Sequence, residues 1–461
     1  MKGYKAKKMI GLGLVLAMAG TLAGCGTGVP SGDLMADYNK THVTISGDGS
    51  VENQSGQMVA TMTDDQGYFV TDGGQCTNEE PAISSGDGES LYEDGTLALS
   101  DFGVRLMQEC FADDKNVLIS PLSVISALGM TANGAKEETY VQMEKVFRME
   151  IPVLNVFLKE YRENLPSGKK YKMNLANGIW FRDSGDFTAN EDFLQTNETY
   201  YNAGLYKAPF DVSTKDQINA WVNKNTDGMI KSILNEIPID AVMYLVNALA
   251  FDGEWQTIYN ESRVHDKEFT TENGRKQNVT MMYSEEKAYL EDEQAQGFLK
   301  YYADRKYAFV GLLPKDGVTV GDYMTGLDGE ALQNLLDNQV DVKVNAGIPK
   351  FKLEYDVEMS DVLKAMGMTD VFDPNSSNLS ALGESANGNL YVSRVLHKTF
   401  IEVDERGTKA GAATAVEVKC ESAMLEPEEV KTVILDRPFV YMIIDCEKQV
   451  PIFIGTMMNM E

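Results

Sequence analysis

The sequence predicts an α+β fold with several β-sheets. From about Leu91 onward, strand-like apolar runs interleave with segments of helical periodicity, without the regular strand–helix–strand alternation of a doubly wound sheet. The length of 461 residues allows a large core, and 43% hydrophobic with 24% charged residues is typical of a soluble globular protein. A formal net charge of -29 would repel a polyanion, which argues against nucleic acid as a partner.

The N-terminus has the pattern of an export signal. A lysine-rich start precedes an apolar stretch from Met9 to Leu22, shorter than the roughly 20 residues of a comfortable membrane span. The stretch ends in Leu22-Ala23-Gly24-Cys25, which resembles the lipobox of bacterial lipoproteins. That resemblance implies removal of residues 1–24, lipidation of Cys25, and anchoring to the outer face of a bacterial cell membrane, in the extracellular space. A plain secretory peptide with an incidental cysteine is the alternative.

Residues 25–90 are expected to form a flexible tether. They are rich in Gly, Ser and Asp and poor in periodic apolar residues, so they cannot bury enough apolar surface to offset their chain entropy. A short strand pair near residues 43–45 and 68–70 is weakly indicated. The Asp-Gly clusters lack the ligand spacing of a calcium-binding EF-hand loop, so we expect no metal site there.

The globular part is expected to span residues 91–461. Its first helix contains Leu99, Phe102 and Leu106 at helical spacing, with Ser100 or Asp101 as a plausible cap. Further helices are predicted at residues 139–147, 218–226 and 357–366. Strands are predicted at residues 172–181, 241–251, 307–313, 340–349, 391–403, 439–444 and 451–457.

No motif of a cofactor, metal or nucleotide site occurs in the globular part, so no cofactor is expected. HExxH, P-loop and dinucleotide-binding signatures are all lacking. The five cysteines show no CxxC spacing, which argues against a disulfide scaffold.

The most informative segment runs from residue 405 to 422, with the sequence ERGTKAGAATAVEVKCES. Its residues alternate in character: one parity is small or apolar throughout, and the other carries every charge between Thr408 and Glu421. Period-two alternation of this length, without proline, is typical of a long half-buried strand. Its first half consists of small side chains that would hold a permanent strand only weakly, yet could enter a narrow gap. An ordinary strand with a weak N-terminal half is the simpler interpretation.

The segment from Val403 to Ala410 resembles the hinge of the serpin reactive-centre loop. Other segments resemble serpin motifs in the family's own order: NVLISPLS at 116–123, INAWVNKNTDG at 218–228, LVNALAFDGEW at 245–255, DRPF at 436–439 and PIFIG at 451–455. The chain is therefore identified as a member of the serpin family from about Leu91 to Glu461. The resemblance implies three β-sheets, eight to nine helices and an exposed reactive-centre loop.

The family implies a suicide-type protease inhibitor that is consumed stoichiometrically and acts as a monomer. A target protease would attack the loop and form an acyl-enzyme, and the cleaved loop would then insert into the central sheet as a new strand. The resemblance assigns the hinge to seven positions: Glu405, Gly407, Thr408, Ala410, Ala412, Ala413 and Thr414. Arg406 and Lys409 depart from the family pattern, since those sites are often acidic, and Gly411 interrupts the alanines.

Family spacing from Gly407 places the reactive bond between Glu421 and Ser422. A glutamate at this position favours a glutamate-specific serine protease. Loop length varies in the family, so cleavage after neighbouring residues stays open and would suit an elastase-like enzyme: Val418, Cys420, Ala423 or Met424. Cysteine proteases are an alternative target class.

Five more residues match serpin positions beneath the sheet or near the point where the loop enters it. The resemblance implies that four form a hydrogen-bonded cluster where the sheet opens and that the fifth is an aromatic residue near the top of the opening: Ser120, Ser123, Asn247, His397 and Trp255. Ordinary satisfaction of buried polar groups is the simpler explanation for each. A hydrolase using Ser120 and His397 is disfavoured because no Gly-x-Ser-x-Gly elbow is present. A non-inhibitory serpin acting as a binding or scaffold protein is the second alternative.

Overall fold

The computed structural model describes residues 91–92, 94–165, 168–408 and 429–461 in full. It also describes the backbone of residues 10–19, 44–45, 51–52, 58–63 and 68–70. Nine α-helices lie in these residues: α1 Gly95–Cys110, α2 Pro121–Ala132, α3 Glu137–Phe147, α4 Ile151–Glu163, α5 Glu191–Tyr201, α6 Val212–Asn225, α7 Val320–Gly326, α8 Gly329–Asp337 and α9 Ser360–Ala365. Three short 3-10 turns lie at Glu261–Arg263, Ala303–Arg305 and Asp370–Phe372.

The strands belong to two large and two small sheets. The first ten are β1 Ile10–Ala19, β2 Thr44–Ile45, β3 Val51–Glu52, β4 Met58–Thr63, β5 Tyr68–Val70, β6 Val117–Ile119, β7 Tyr171–Arg182, β8 Phe187–Ala189, β9 Gly204–Ala208 and β10 Ala241–Glu254. The remaining twelve are β11 Val264–Thr270, β12 Lys276–Glu291, β13 Ala295–Tyr301, β14 Tyr307–Pro314, β15 Val340–Pro349, β16 Phe351–Glu358, β17 Gly383–Ser385, β18 Tyr391–Val403, β19 Gly407–Thr408, β20 Val430–Ile434, β21 Phe439–Asp445 and β22 Val450–Met457.

The central sheet has the strand order β16-β18-β1-β10-β7-β9, and β19 pairs with the end of β10. Neighbours are antiparallel except for β7 and β9. The apolar stretch near the N-terminus, interpreted above as part of an export signal, supplies β1 between β10 and β18. The sequence analysis did not predict this placement.

The second large sheet has the order β20-β15-β12-β13-β14-β21-β22-β6, with β11 paired to β12. Its long strand β12 joins two halves. One edge of β12 pairs with β11 over Lys276–Met282 and with β13 over Ala288–Glu291, and the other edge pairs with β15 from Met281 to Tyr289. The register with β15 shifts between Glu286 and Ala288, so β12 links β11 and β13 into one sheet although they do not pair with each other.

Both faces of the central sheet are covered. The inner face, which carries Leu245, Leu249 and Phe251 of β10, belongs to the main core beneath it, and α2 is buried there throughout. The outer face carries Tyr244 and Val246 of β10, which pack with α6 in a separate cluster. Residues of one strand therefore divide by parity between two apolar environments.

Several helix boundaries differ from the expectations. Helix α1 is capped by Asp94, whose carboxylate accepts a hydrogen bond from Thr96 N–H, and not by Ser100 or Asp101. Helix α6 begins six residues before the predicted start, because Asp211 caps a first turn that is mostly polar and so hides the apolar periodicity. The helix predicted from residue 357 begins at Ser360, since Val357 continues β16 opposite His397.

The expectation of an α+β fold with several sheets is confirmed. In the part of the chain that the structure describes, no helix is both long enough and apolar enough to cross a membrane.

Candidate functional site

The central sheet contains a position for one strand between β10 and β18, which we call the slot. In this structure β1 fills the slot and runs antiparallel to both neighbours. Backbone pairing places Leu14 of β1 opposite Asn247 on one side and opposite His397 on the other. The flanking strands β10 and β18 therefore run in the same direction, and the gap between them is wide enough for one strand.

The chain leaves β18 through a tight turn that we call the hinge turn, residues 404–408. The Asp404 carboxylate accepts hydrogen bonds from the N–H groups of Arg406 (2.8 Å) and Gly407 (3.2 Å), and Asp404 N–H donates to the Gly407 carbonyl at 3.0 Å. Gly407 and Thr408 then pair antiparallel with Glu254 and Gly253 at the end of β10. The turn thus reverses the chain and directs it into the top of the slot.

A glycine is required at position 407 because the backbones approach closely there. A Cβ atom on Gly407 would collide with the carbonyl oxygen of Gly253. This contact gives a physical reason for the glycine that the family pattern has at this position.

The segment after β10 holds the hinge turn from the other side. Trp255 donates its backbone N–H to the Arg406 carbonyl and its indole N–H to the Asp404 carbonyl, both at 2.9 Å. Tyr259 N–H donates to the Glu405 carbonyl at 3.0 Å, and the Glu405 carboxylate pairs with the Lys350 ammonium at 2.7 Å. These donors satisfy three consecutive carbonyls, so the turn has a defined position.

A buried cation supports this segment. The Lys300 side chain is 2% exposed and pairs with the Glu286 carboxylate at 2.8 Å. Its ammonium lies 4.2 Å from the ring centre of Tyr259 and 5.4 Å from that of Trp255. Burial lowers the pKa of Lys300, and the Glu286 carboxylate opposes that shift. The cation thus packs against two residues that bind the hinge turn.

A chain of buried polar side chains lies beneath the slot. Ser120 N–H donates to His397 Nε2 at 3.2 Å, and Ser120 Oγ caps α2 by accepting from Ser123 N–H at 3.3 Å. The Ser123 hydroxyl donates to the Asn247 side-chain oxygen, and Asn247 donates in turn to the Asn177 side-chain oxygen at 2.7 Å. The chain of hydrogen bonds therefore connects α2 with β18, β10 and β7.

The His397 imidazole is fully buried, and burial lowers its pKa to about 3. The neutral ring is therefore the folded form, and its Nδ1 has no hydrogen-bond partner among the described residues. Because unfolding lets the ring take up a proton, this residue stabilises the fold fully above about pH 6.5 and progressively less as the pH falls toward 3.

We expect this contribution to appear as extra acid sensitivity. At pH 4 the wild-type chain should have lost about 3 kcal/mol of unfolding free energy through His397 relative to pH 7. Denaturant unfolding at both pH values, compared with the same pair of measurements on His397→Gln, isolates this difference from the effect of the carboxylates. Equal acid sensitivity of the two chains would contradict the assignment.

The sequence and the fold were compared with those of known proteins. The profile of the family described as Serpin (serine protease inhibitor) matches residues 97–460. The chain is a serpin. Human Serpin B9 is 32% identical over 75% of this chain and 94% of its own length, and the leukocyte elastase inhibitor of Xenopus laevis is 32% identical over 71% and 89%. A crystal structure of the thermophilic serpin Tengpin in the native state superposes with a TM-score of 0.74 at 45% identity, covering 81% of this chain and 96% of that one.

The structure brings most of the described candidate residues of this serpin into one region. Ser120, Ser123, Asn247 and His397 lie beneath the slot, and Trp255 binds the hinge turn at its top. The hinge positions Glu405, Gly407 and Thr408 are in the hinge turn. The other candidate positions lie outside the described residues: Cys25, Ala410, Ala412, Ala413, Thr414, Val418, Cys420, Glu421, Ser422, Ala423 and Met424.

The geometry disfavours the hydrolase alternative. The Ser120 hydroxyl oxygen accepts a backbone hydrogen bond, and His397 Nε2 accepts from the Ser120 backbone rather than from its hydroxyl. Both residues are 0% exposed, so no substrate could reach them. A serine nucleophile needs its hydroxyl bonded to the base and accessible to substrate.

The sequence analysis missed four residues of this region: Asn177, Tyr259, Lys300 and Tyr302. Tyr259 and Tyr302 bind residues of the hinge turn that lie more than 100 positions away in the sequence. Asn177 binds Asn247, and Lys300 reaches the hinge turn only through the rings of Tyr259 and Trp255. A local signal was the pair of adjacent aromatic residues Tyr301 and Tyr302, where β13 ends.

Proposed function

We propose that this serpin is a suicide-type inhibitor that traps a serine protease as an acyl-enzyme by inserting its cleaved loop into the slot. Its relatives include proteins named Leukocyte elastase inhibitor and Serpin B9. The observation that carries the proposal is the pairing of Gly407 and Thr408 with β10, because it starts a strand at the top of the slot with the required direction.

Continuing this pairing residue by residue defines a register for the inserted loop. Continued from the pairing of Thr408 with Gly253, the register would place Thr414 opposite Asn247 on β10. Continued from the pairing of Gly407 with Asp404, it would place Thr414 opposite His397 on β18. Strand β1 supports the geometry, since one of its residues also lies opposite both side chains. In this register Ala410, Ala412, Thr414, Val416 and Val418 face the inner core.

In the same register, two charged residues of the loop would lie opposite residues of opposite charge on β10 and β18. Lys409 would lie opposite Asp252 of β10 and Glu402 of β18, and Glu417 opposite Arg394 of β18. Opposite charges directly across strands are favourable, and a one-residue slip would turn both charges toward the core. Lys409, which departs from the acidic pattern of the family, would thus have acidic neighbours once the loop is inserted.

A panel of proteases tests the proposal. We expect at least one serine protease, glutamate-specific or elastase-like, to give an adduct that survives denaturing gel electrophoresis, and mass spectrometry of the released C-terminal peptide to locate the cut at Glu421-Ser422 or at a neighbouring bond. The same protease with its nucleophile blocked is the control and should give no adduct. If every active protease cleaves the loop and turns over freely, the inhibitory mechanism is wrong and a non-inhibitory binding serpin is favoured.

The proposal includes processing at the N-terminus. Removal of residues 1–24 would remove β1 and vacate the slot, and lipid on Cys25 would anchor the inhibitor to the outer face of a bacterial membrane. We expect the Cys25→Ser chain to be either processed and soluble or left unprocessed. Immunoblotting of the membrane and soluble fractions and N-terminal sequencing distinguish these two results from an anchored chain. A processed Cys25→Ser chain that still sediments with membranes would exclude the anchor.

A further inference from the structure

The hinge turn ends in a buried pair of hydroxyl groups that no motif of the sequence predicts. Tyr302 and Thr408 are both 0% exposed, and the Tyr302 hydroxyl contacts Thr408 Oγ1. Burial raises the pKa of Tyr302, so the phenol keeps its proton and can donate. Thr408 is the last residue of the hinge turn and, after Gly407, the second to pair with β10 at the top of the slot.

The Tyr302 ring has a fixed position. It stacks on Trp255 with ring centres 4.4 Å apart and an interplanar angle of 16°, and it meets Phe251 edge-on at 4.9 Å. A Cβ atom on Gly253 would lie only 2.8 Å from the Tyr302 ring and from the Phe251 ring, so the glycine makes room for the packing. The hydroxyl is therefore presented by a rigid aromatic group, not by a flexible side chain.

The other contacts of the hinge turn stop short of Thr408. The donors of Trp255 and Tyr259 bind the carbonyls of residues 404–406, and Lys350 binds the side chain of Glu405. Among the described side chains, Tyr302 alone hydrogen-bonds the side chain of Thr408. Whether the strand begins at Thr408 or farther along the loop therefore depends on this contact and on the pairing with Gly253.

We propose that Tyr302 is a positioning residue for loop insertion: by holding Thr408 in the slot before cleavage, it makes the first residues of the new strand a preformed nucleus. Forming a first hydrogen-bonded turn or closing a first loop is costly, and later residues add at lower cost. When Thr408 is already docked, the free-energy cost of starting the strand does not have to be overcome after cleavage. This inference rests on the proposed inhibitory function.

Loss of the Tyr302–Thr408 contact would lower the fraction of protease that is trapped and raise the fraction that is released. After acylation the loop inserts, or the acyl-enzyme hydrolyses and the protease leaves. Loss of the preformed nucleus slows insertion without changing deacylation, so more protease escapes. The readouts are the number of inhibitor molecules consumed per protease trapped and the docking of the hinge turn itself.

A double-mutant cycle on the processed chain, expressed at full length in a bacterial host, tests the inference. The variants are Tyr302→Phe, Thr408→Val and the two combined; Thr408→Ser keeps the hydroxyl and should behave as wild type. Tyr301→Phe is the matched control, because the neighbouring hydroxyl bonds Gln339 at the exposed surface, away from the hinge. Hydrogen exchange of the amides of residues 404–408 reports docking without any protease.

Each single variant should raise the exchange rate of the Gly407 and Thr408 amides about tenfold, as expected for the loss of one buried hydrogen bond. The number of inhibitors consumed per trapped protease should rise several-fold, and the double variant should be less than additive. If these amides exchange at the wild-type rate in both single variants, the Tyr302–Thr408 contact does not hold the turn. If their exchange is faster but the number of inhibitors consumed per trapped protease is unchanged, the contact has no role in insertion. A wild-type chain that traps no protease would instead reject the proposed function, while the exchange data still decide the contact.

Discussion

Cutting the loop of the processed serpin between residues 418 and 424 is expected to raise its melting temperature by at least about 10 °C. The cut frees the residues after Thr408 to complete a strand between β10 and β18. Each ladder hydrogen bond adds about 0.5–1.5 kcal/mol and each buried valine-sized side chain about 1.5 kcal/mol or more, so the gain is on the order of 10 kcal/mol. With an unfolding entropy of about 2 cal/mol/K per residue, such a gain corresponds to about 10–15 °C.

Calorimetry of the intact and the nicked chain measures this shift. The processed form is needed because β1 otherwise fills the slot in this structure. A nicked chain that melts at or below the temperature of the intact one would show that the loop does not enter the sheet, and the proposed function would fall with it.

The second large effect concerns the parity of the loop. We expect Ala412→Glu to reduce trapping of the protease to below about 1% and to convert the serpin into a substrate, because a buried unpaired carboxylate costs about 3–5 kcal/mol. In the proposed register position 412 lies opposite Leu249 and Thr399, both 0% exposed and on the inner face. The melting temperature of the intact chain should be unchanged, since the cost arises only on insertion.

The matched control is Ala413→Glu, one residue farther along and on the other face. Position 413 would lie opposite Ala248 and Lys398, and the Lys398 ammonium already faces Glu354 at 3.3 Å and Asp356 at 3.5 Å. A carboxylate near this cation is tolerable, so trapping should fall less than about threefold. Adduct yield on gels, measured for both variants with one protease, decides the matter. Equal losses would contradict the register.

Strands were easier to predict than helix starts and connections. The runs of β7, β14, β15 and β18 were located within a residue or two, because buried strands show continuous or alternating apolar residues. The start of α6 was missed, since Asp211 and the polar residues after it give no apolar period. The long strand β12 was missed because its buried and exposed residues change pattern where the partner on one of its edges changes from β11 to β13.

The candidate site was predictable in kind but not in its contacts. The glycine of the hinge and the small residues after it were evident, because a segment that must enter a narrow gap needs small side chains. The aromatic group that receives the hinge was not. Tyr302 and Thr408 are 106 residues apart, and they meet only because the residues after β13 and the hinge turn after β18 both lie against the end of β10.

By itself, the sequence determined that one long segment alternates between apolar and charged residues, that its first half consists of small residues, and that one parity carries no charge. Alternation is a local property, fixed by the period of an extended chain. Only the tertiary structure decided which residues lie across from that segment, namely Asn247 and His397, and which aromatic ring holds its first residue. Strand register depends on backbone pairing between distant segments, and no local pattern encodes it.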